Sequence, residues 1–415
     1  MRVTPPVEIT TAKLTSSTVA EPYVPATYAG GTTYAFGDIV KVVADFAHYE
    51  SLYDGNLGNT PNVNPSFWRY LGPTEIAYNT GTTYGLGDTC CSTTTHRCYE
   101  SLAAGNLNNP LPILPETVTT KWLDIGPTNR YAMFDLSRST QTVCDKSVHE
   151  VMTLDVAPAT PWAVSDTITG QTSTKTCVVV AVLTTKTFVV SSRSGAFTLG
   201  EIVGVTGVPG KLADQGVAFP TFQAALHVVI APGERVNTVG LAGLVGNELQ
   251  ISATSTLGGG TIYPSIYSES ATGIFDLNTR IINDGYDYCF EPFSTRPSMA
   301  IFDIPPYVDS VITVTISATD GNVKIGSLIT GTYVFIGVIK ADCQPSNDGL
   351  NFSSITRDVF GNATLIPRRT VPKTEQTLSV SSSRVDRCKA VRTLLNAVPA
   401  LWTGIDDNTS YWFDA

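Results

Sequence analysis

Short apolar runs alternate with glycine, proline, asparagine and aspartate along most of the chain. Ile39, Val40, Val42 and Val43 form one run, and residues 49–53 form the next. Gly37-Asp38 and Asp54-Gly55-Asn56 punctuate them, which is the grammar of strands and turns. Residues 166–170, 177–183, 188–191 and 197–203 keep this rhythm at near-regular intervals, as a small barrel or sandwich does. Further strands are predicted at residues 130–135, 226–230, 236–244, 249–253 and 298–307. Asp320-Gly321 lies between two alternating runs, so residues 311–316 and 323–329 are expected to form a hairpin. One segment changes period. Val385, Cys388, Val391, Leu394, Leu395 and Val398 fall on a single helical face. Ser383 is its predicted cap, and Asp386 sits near the positive end of the helix dipole.

The pattern contains a duplication. Gly31-Thr32-Thr33-Tyr34 returns as Gly81-Thr82-Thr83-Tyr84, and Gly37-Asp38 as Gly87-Asp88. Tyr49-Glu50-Ser51-Leu52 returns as Tyr99-Glu100-Ser101-Leu102, and Gly55-Asn56-Leu57 as Gly105-Asn106-Leu107. Extra residues then enter the second copy, expected between Pro110 and Lys121, before Trp68 and Gly72-Pro73-Thr74 find their matches in Trp122 and Gly126-Pro127-Thr128. So short a unit has little core, and large aromatics must supply much of its burial. Trp68 and Trp122 are therefore read as core pillars rather than ligand platforms. Tyr34, Tyr53 and Tyr84 lie beside turns and are the candidates for exposed rings that stack on a sugar. Asn56 and Asn106 are candidate polar partners; the plainer role for them is to shape the turn.

The fold expected is mainly β and multidomain. Residues 1–25 read as an N-terminal arm, and 26–74 and 75–128 as two small β modules. Residues 129–155 and 215–330 read as a jelly-roll-like β-sandwich, with 156–214 inserted as a small β domain. Residues 331–415 read as a C-terminal α+β domain. An aromatic strand at Tyr411-Trp412-Phe413 would present an open edge, which calls for a covering partner or more chain.

Composition narrows the function. Charged residues make up 15% of the chain, against about 25% in an average globular protein. The net charge of −10 and the lack of a long basic cluster speak against nucleic-acid binding. No apolar run reaches the roughly 18 residues that span a bilayer. Residues 1–20 are polar and threonine-rich without a signal core, so cytoplasmic synthesis without export is expected. The eight cysteines, Cys90, Cys91, Cys98, Cys144, Cys177, Cys289, Cys343 and Cys388, are scattered, and reduced thiols are expected. Cys91, His96 and Cys98 make a poor metal set, because the first copy has Lys41 and His48 in place of the two cysteines. No metal or cofactor is expected.

The order Tyr34, Gly37-Asp38, residues 39–43, Tyr49-Glu50-Ser51-Leu52, Asn56, Pro61 and Trp68-Arg69-Tyr70-Leu71 resembles small chitin- and cellulose-type carbohydrate-binding modules. Such modules are found appended to glycosidases and also occur in phage tail proteins. Beyond the modules, three features resemble structural proteins of long-tailed bacteriophage tails. They are Tyr131-Ala132-Met133-Phe134-Asp135, Ile301-Phe302-Asp303-Ile304-Pro305-Pro306 and the C-terminal strand–helix–strand. That resemblance implies a tail-tip or baseplate component in a virion assembled in the host cytoplasm. Its implied partners are other tail proteins, further copies of itself (a trimer first) and a host surface glycan, with no membrane insertion. Catalytic motifs such as Gly-x-Ser-x-Gly, His-Glu-x-x-His and a Walker loop are missing from the sequence, and no catalytic residue is assigned. The alternatives are a glycan-hydrolysing tail enzyme, with two carboxylates about 5–10 Å apart across a cleft, and a cellular carbohydrate-binding accessory protein.

Overall fold

Alternation puts Leu226, Val228 and Ile230 on one side of the strand Thr221–Ile230, where they enter the largest core. The computed structural model describes the chain apart from residues 20–25, 36–37, 43, 45–46, 54, 74–75, 114–116, 137–141, 145–148, 155, 192, 196, 199–200, 206–220, 266–267, 269, 280–284, 291–293, 319–322, 340–345, 352–353, 358–362, 367–369, 376, 397–398, 404–412 and 415. The protein is mainly β and holds several separate sheets. In the largest sheet, Thr221–Ile230 lies between His149–Thr153 and Val311–Ala318, and Glu248–Ser255 pairs beyond Val311–Ala318. Thr238–Ala242, Ser298–Ile301 and Ser327–Gly331 form a smaller sheet. Leu226, Ile251 and Val314 from the first share a core with Val239, Met299 and Leu328 from the second, so the two make a sandwich.

Three expectations change here. The predicted hairpin across Asp320-Gly321 is not a paired ladder. Both edges of Val311–Ala318 are already taken, so the chain leaves the sheet. Val323–Ile325 pairs with Thr142–Cys144, and Ser327–Gly331 crosses to the smaller sheet. Residues 130–135 are not a strand. Ala132–Phe134 is a 3-10 turn that buries Met133, whose N–H donates to Thr142 Oγ1 at 2.9 Å. The inserted segment, finally, extends the large sheet. Thr187–Ser191 pairs with His149–Thr153, and Thr176–Val182 and Thr167–Gly170 follow outward. It nevertheless keeps its own core of Trp162, Ile168, Phe188, Val190 and Val203. Arg193 grips Glu150 in two hydrogen bonds of 2.8 and 3.0 Å across that boundary.

Within the expected arm, the described residues 1–19 join the sheets. Arg2–Thr4 lies between Val334–Phe335 and Leu401–Thr403, and Leu14–Ser17 adds to Thr221–Ile230. Val3 is buried with Ile336, Val391 and Ala400. The helix is Val385–Leu394, shorter than predicted. Ser383 lies in the preceding 3-10 turn Ser382–Arg384, and no side chain caps the helix. Cys388, Val391 and Leu395 pack inward, whereas Leu394 is exposed and Val398 lies outside the described residues. Of the aromatic C-terminal strand, Phe413–Asp414 pairs with Leu401–Thr403, while Tyr411 and Trp412 lie outside the described residues. Among the described residues no helix is long and apolar enough to cross a membrane.

Leu401 covers the outer face of the smaller sheet, where a Cβ at Gly240 would run into its Cδ2. Gly240→Ala is therefore expected to destabilise the protein by about 1–3 kcal/mol, read as a lower urea midpoint.

His227 supplies a pH test. It is buried, its Nδ1 lies 2.8 Å from Thr315 Oγ1, and its backbone N–H donates to Thr18 Oγ1 at 2.9 Å. Burial, with His149 nearby, pushes its pKa down to about 4. The unfolded imidazole titrates near about 6.5, so unfolding takes up a proton between the two values. This stability is complete above the unfolded value and is lost as pH falls through 6.5 toward 4. The melting temperature is expected to fall between pH 7.5 and pH 4.5, and His227→Gln to reduce that fall.

Candidate functional site

The two modules share one design. Tyr34 stands opposite Asn56, and Tyr84 opposite Asn106, in short two-stranded pairs. Ile39–Val42, Ala47–Ser51 and Trp68–Pro73 form a three-stranded sheet that Thr89–Ser92, Arg97–Ser101 and Trp122–Pro127 reproduce. Even the register shift recurs, at His48/Tyr49 and at Cys98/Tyr99. The parallel bridge Thr27–Lys41 matches Ala77–Cys91. The extra residues of the second copy fall between Asn106–Leu107 and Trp122–Pro127, where the first copy has the 3-10 turn Pro61–Val63.

Trp68 and Trp122 are buried core pillars, as read from the sequence. Tyr34 packs edge-on to Trp68 with centroids 5.2 Å apart, and Tyr84 to Trp122 at 5.1 Å. Tyr34 is 7% exposed and Tyr84 1% exposed, which corrects their assignment as exposed, sugar-stacking rings. Paired opposite Asn56 and Asn106, these two rings are the ones that reach the tryptophans. A third ring completes each cluster: Tyr28 stacks on Tyr34 and Tyr78 on Tyr84. Sequence reasoning missed this pair, although the two tyrosines stand fifty residues apart like the rest of the repeat.

Asn56 and Asn106 are also buried, so the proposed sugar contact is corrected for them too. The Asn56 amide donates to Ser51 Oγ at 3.0 Å and to the Phe67 carbonyl at 3.3 Å, and its oxygen accepts from Asn59 at 2.8 Å. Asn106 repeats this with Ser101, the Lys121 carbonyl and Asn109 at 3.0, 3.1 and 2.8 Å. The indole N–H groups of Trp68 and Trp122 donate to the carbonyls of Asn59 and Asn109.

Tyr53 is the one predicted ring that faces solvent, at 55% exposure. Phe67, 37% exposed, lies beside it with centroids 5.6 Å apart. The second copy has Ala103 and Lys121 at these positions. The backbone there is the same. Ser51 Oγ donates to the Tyr53 carbonyl as Ser101 Oγ does to that of Ala103, both at 2.9 Å. The Leu52 N–H reaches the Phe67 carbonyl as that of Leu102 reaches Lys121. The copies share these backbone hydrogen bonds and differ in side chains, so of the two only the first presents an aromatic ledge at these positions.

The second copy carries a joint instead. Arg97 pairs with Asp124 at 2.6 Å inside the module and with Asp135 at 3.0 Å outside it. Burial opposes the guanidinium charge, but the two carboxylates outweigh it and raise the pKa. The His96 ring stacks on Tyr131 at 4.2 Å, with its Nε2 2.6 Å from Thr11 Oγ1. A groove of about 660 Å³ runs along this joint, with Glu8, Thr10, Thr94, Arg97, Phe134 and Asp135 on its walls. The first copy has Ala47 and Tyr70 in place of Arg97 and Asp124. Among the described residues, no group of three His, Cys, Asp or Glu side chains is placed to hold a metal ion.

No protein-family model matches this chain, and no curated protein matches it.

Asn106→Ala would remove the buried hydrogen bonds to the Ser101 hydroxyl, the Lys121 carbonyl and Asn109 together. It is expected to cost about 1–3 kcal/mol, measured as earlier urea unfolding followed by tryptophan fluorescence. Asn56→Ala should weaken the first module by a similar amount.

Proposed function

We propose that the chain is a structural component of a long-tailed phage tail tip or baseplate and contributes to host-surface attachment. In this reading the first module is the part that meets glycan, and the chain is not an enzyme. The observation that carries the reading is the solvent-facing pair Tyr53–Phe67 on a module whose Tyr28, Tyr34, Tyr49 and Trp68 are committed to its core. Flat rings turned to water offer an apolar face to the apolar face of a sugar ring. Stacking of this kind contributes about 1 kcal/mol, by analogy with aromatic pairs, so one module binds weakly. Several copies of the chain in one particle would multiply that through effective concentration. The second module, with Ala103 and Lys121, serves as the spacer that joins the first to the body. The tail proteins around it and a trimeric arrangement of the chain belong to the same proposal.

The test is a double substitution, Tyr53→Ala with Phe67→Ala. Both side chains are exposed, so melting is expected to shift little, by under about 0.5 kcal/mol. Retention on insoluble chitin, cellulose and bacterial envelopes should fall at least tenfold, while Lys121→Ala leaves it unchanged. Full retention by the double variant would refute the assignment.

A further inference from the structure

Cys91 and Cys98 stand directly opposite each other on the paired strands Thr89–Ser92 and Arg97–Ser101. Opposed residues of an antiparallel pair lie about 4.5–5.5 Å apart at Cα, with their side chains on one face. A disulfide spans about 4.4–6.8 Å between Cα atoms, so the register puts these two within bridging reach. Both are reduced and nearly buried, at 1% and 3% exposure. Cys90, next in the strand, points into the opposite face with Tyr84, Tyr99 and Trp122 and takes no part.

Folding does not require the bridge. The first module has Lys41 and His48 at these two positions and reaches the same register. The pair therefore belongs to what the second module does differently. Between the cysteines lie the exposed residues Thr93, Thr94 and Thr95, then His96 and Arg97, which dock the module on Tyr131 and Asp135. His96 sits there with a φ of 54°, a conformation few side chains adopt, so the turn is held in one particular shape.

We infer that Cys91 and Cys98 form a dithiol modification site, closed by a small disulfide oxidant into a cross-strand bridge that clamps the docking turn. With glutathione disulfide, one cysteine thiolate attacks an oxidant sulfur, breaks its S–S bond and releases one glutathione thiolate. The second cysteine thiolate attacks the mixed disulfide at the protein sulfur, forms the Cys91–Cys98 bond and releases the second glutathione. The two protein thiol protons end on the two released thiols. The chain loses two hydrogens and two electrons, and the oxidant gains them. Burial makes the exchange wait on opening of the turn, so it is slow. The setting, a particle leaving a reducing cytoplasm, rests on the proposed function; the chemistry does not.

The full chain carrying Cys289→Ser, which removes an exposed thiol, is incubated with glutathione disulfide and read by mass. The expected product is lighter by two hydrogens, without a glutathione adduct. Tryptic cleavage after Arg97 should leave two peptides joined until a reductant is added. Hydrogen exchange of residues 93–97 should slow on oxidation and recover on reduction. In the same background, Cys91→Lys with Cys98→His, which installs the first module's residues, should abolish the mass change while the module stays folded. Cys91→Ser is the second control should that pair fail to fold. If Cys91 and Cys98 remain fully alkylatable after denaturation of the oxidant-treated chain, the bridge is refuted. If the bridge forms and exchange of the turn is unchanged, the clamp is refuted. Neither outcome depends on glycan binding.

Discussion

Each module depends on one buried asparagine amide. Asn56 and Asn106 each lie in a short two-stranded pair, opposite Tyr34 and Tyr84, and bond to the last serine of the middle strand of the three-stranded sheet. Their amide donors and carbonyl oxygen are all engaged, by a serine hydroxyl, a main-chain carbonyl and a second asparagine. An unpaired buried amide costs about 1–3 kcal/mol, so this short strand has one good seat. That seat brings Tyr34 or Tyr84 onto the tryptophan and aligns Asn59 or Asn109 beneath the indole N–H. It also fixes the backbone at residues 53 and 67, and at 103 and 121, whatever side chains stand there.

Duplication followed by divergence on that fixed frame explains the asymmetry of the pair. The first copy turns Tyr53 and Phe67 to water. The second replaces both and gains Arg97, Asp124 and His96 on the side that meets the body. An ion pair as enclosed as Arg97–Asp124 contributes little net stability, because desolvation offsets most of the attraction. Its value lies in orientation, since the same guanidinium reaches Asp135 on the body. The joint to the body and the exposed aromatic ledge thus fall on two units of one architecture.

Much of this was legible in the sequence, and the misses share a cause. The repeat, the turns, the core tryptophans and the strand-rich body follow from local patterns. Period alone could not show which turn-side ring lies inside. Tyr34 and Tyr53 look alike along the chain, yet one is buried against Trp68 and the other exposed. Asp320-Gly321 is a sound local hairpin signal, overruled because Val311–Ala318 was already paired on both edges. Nothing local in residues 2–4 announces a partner some four hundred positions away, at Leu401–Thr403. Tyr28 and Tyr78 differ from these, because the repeat offset pointed to them.

The central claim is that one shared frame becomes a glycan reader through two side chains. It is tested most directly by transplanting them into the second module as Ala103→Tyr with Lys121→Phe. Titration with a soluble chitin or cellulose oligosaccharide should then show two sites per chain in place of one, with unchanged melting. A stably folded graft that still binds at a single site would contradict the account.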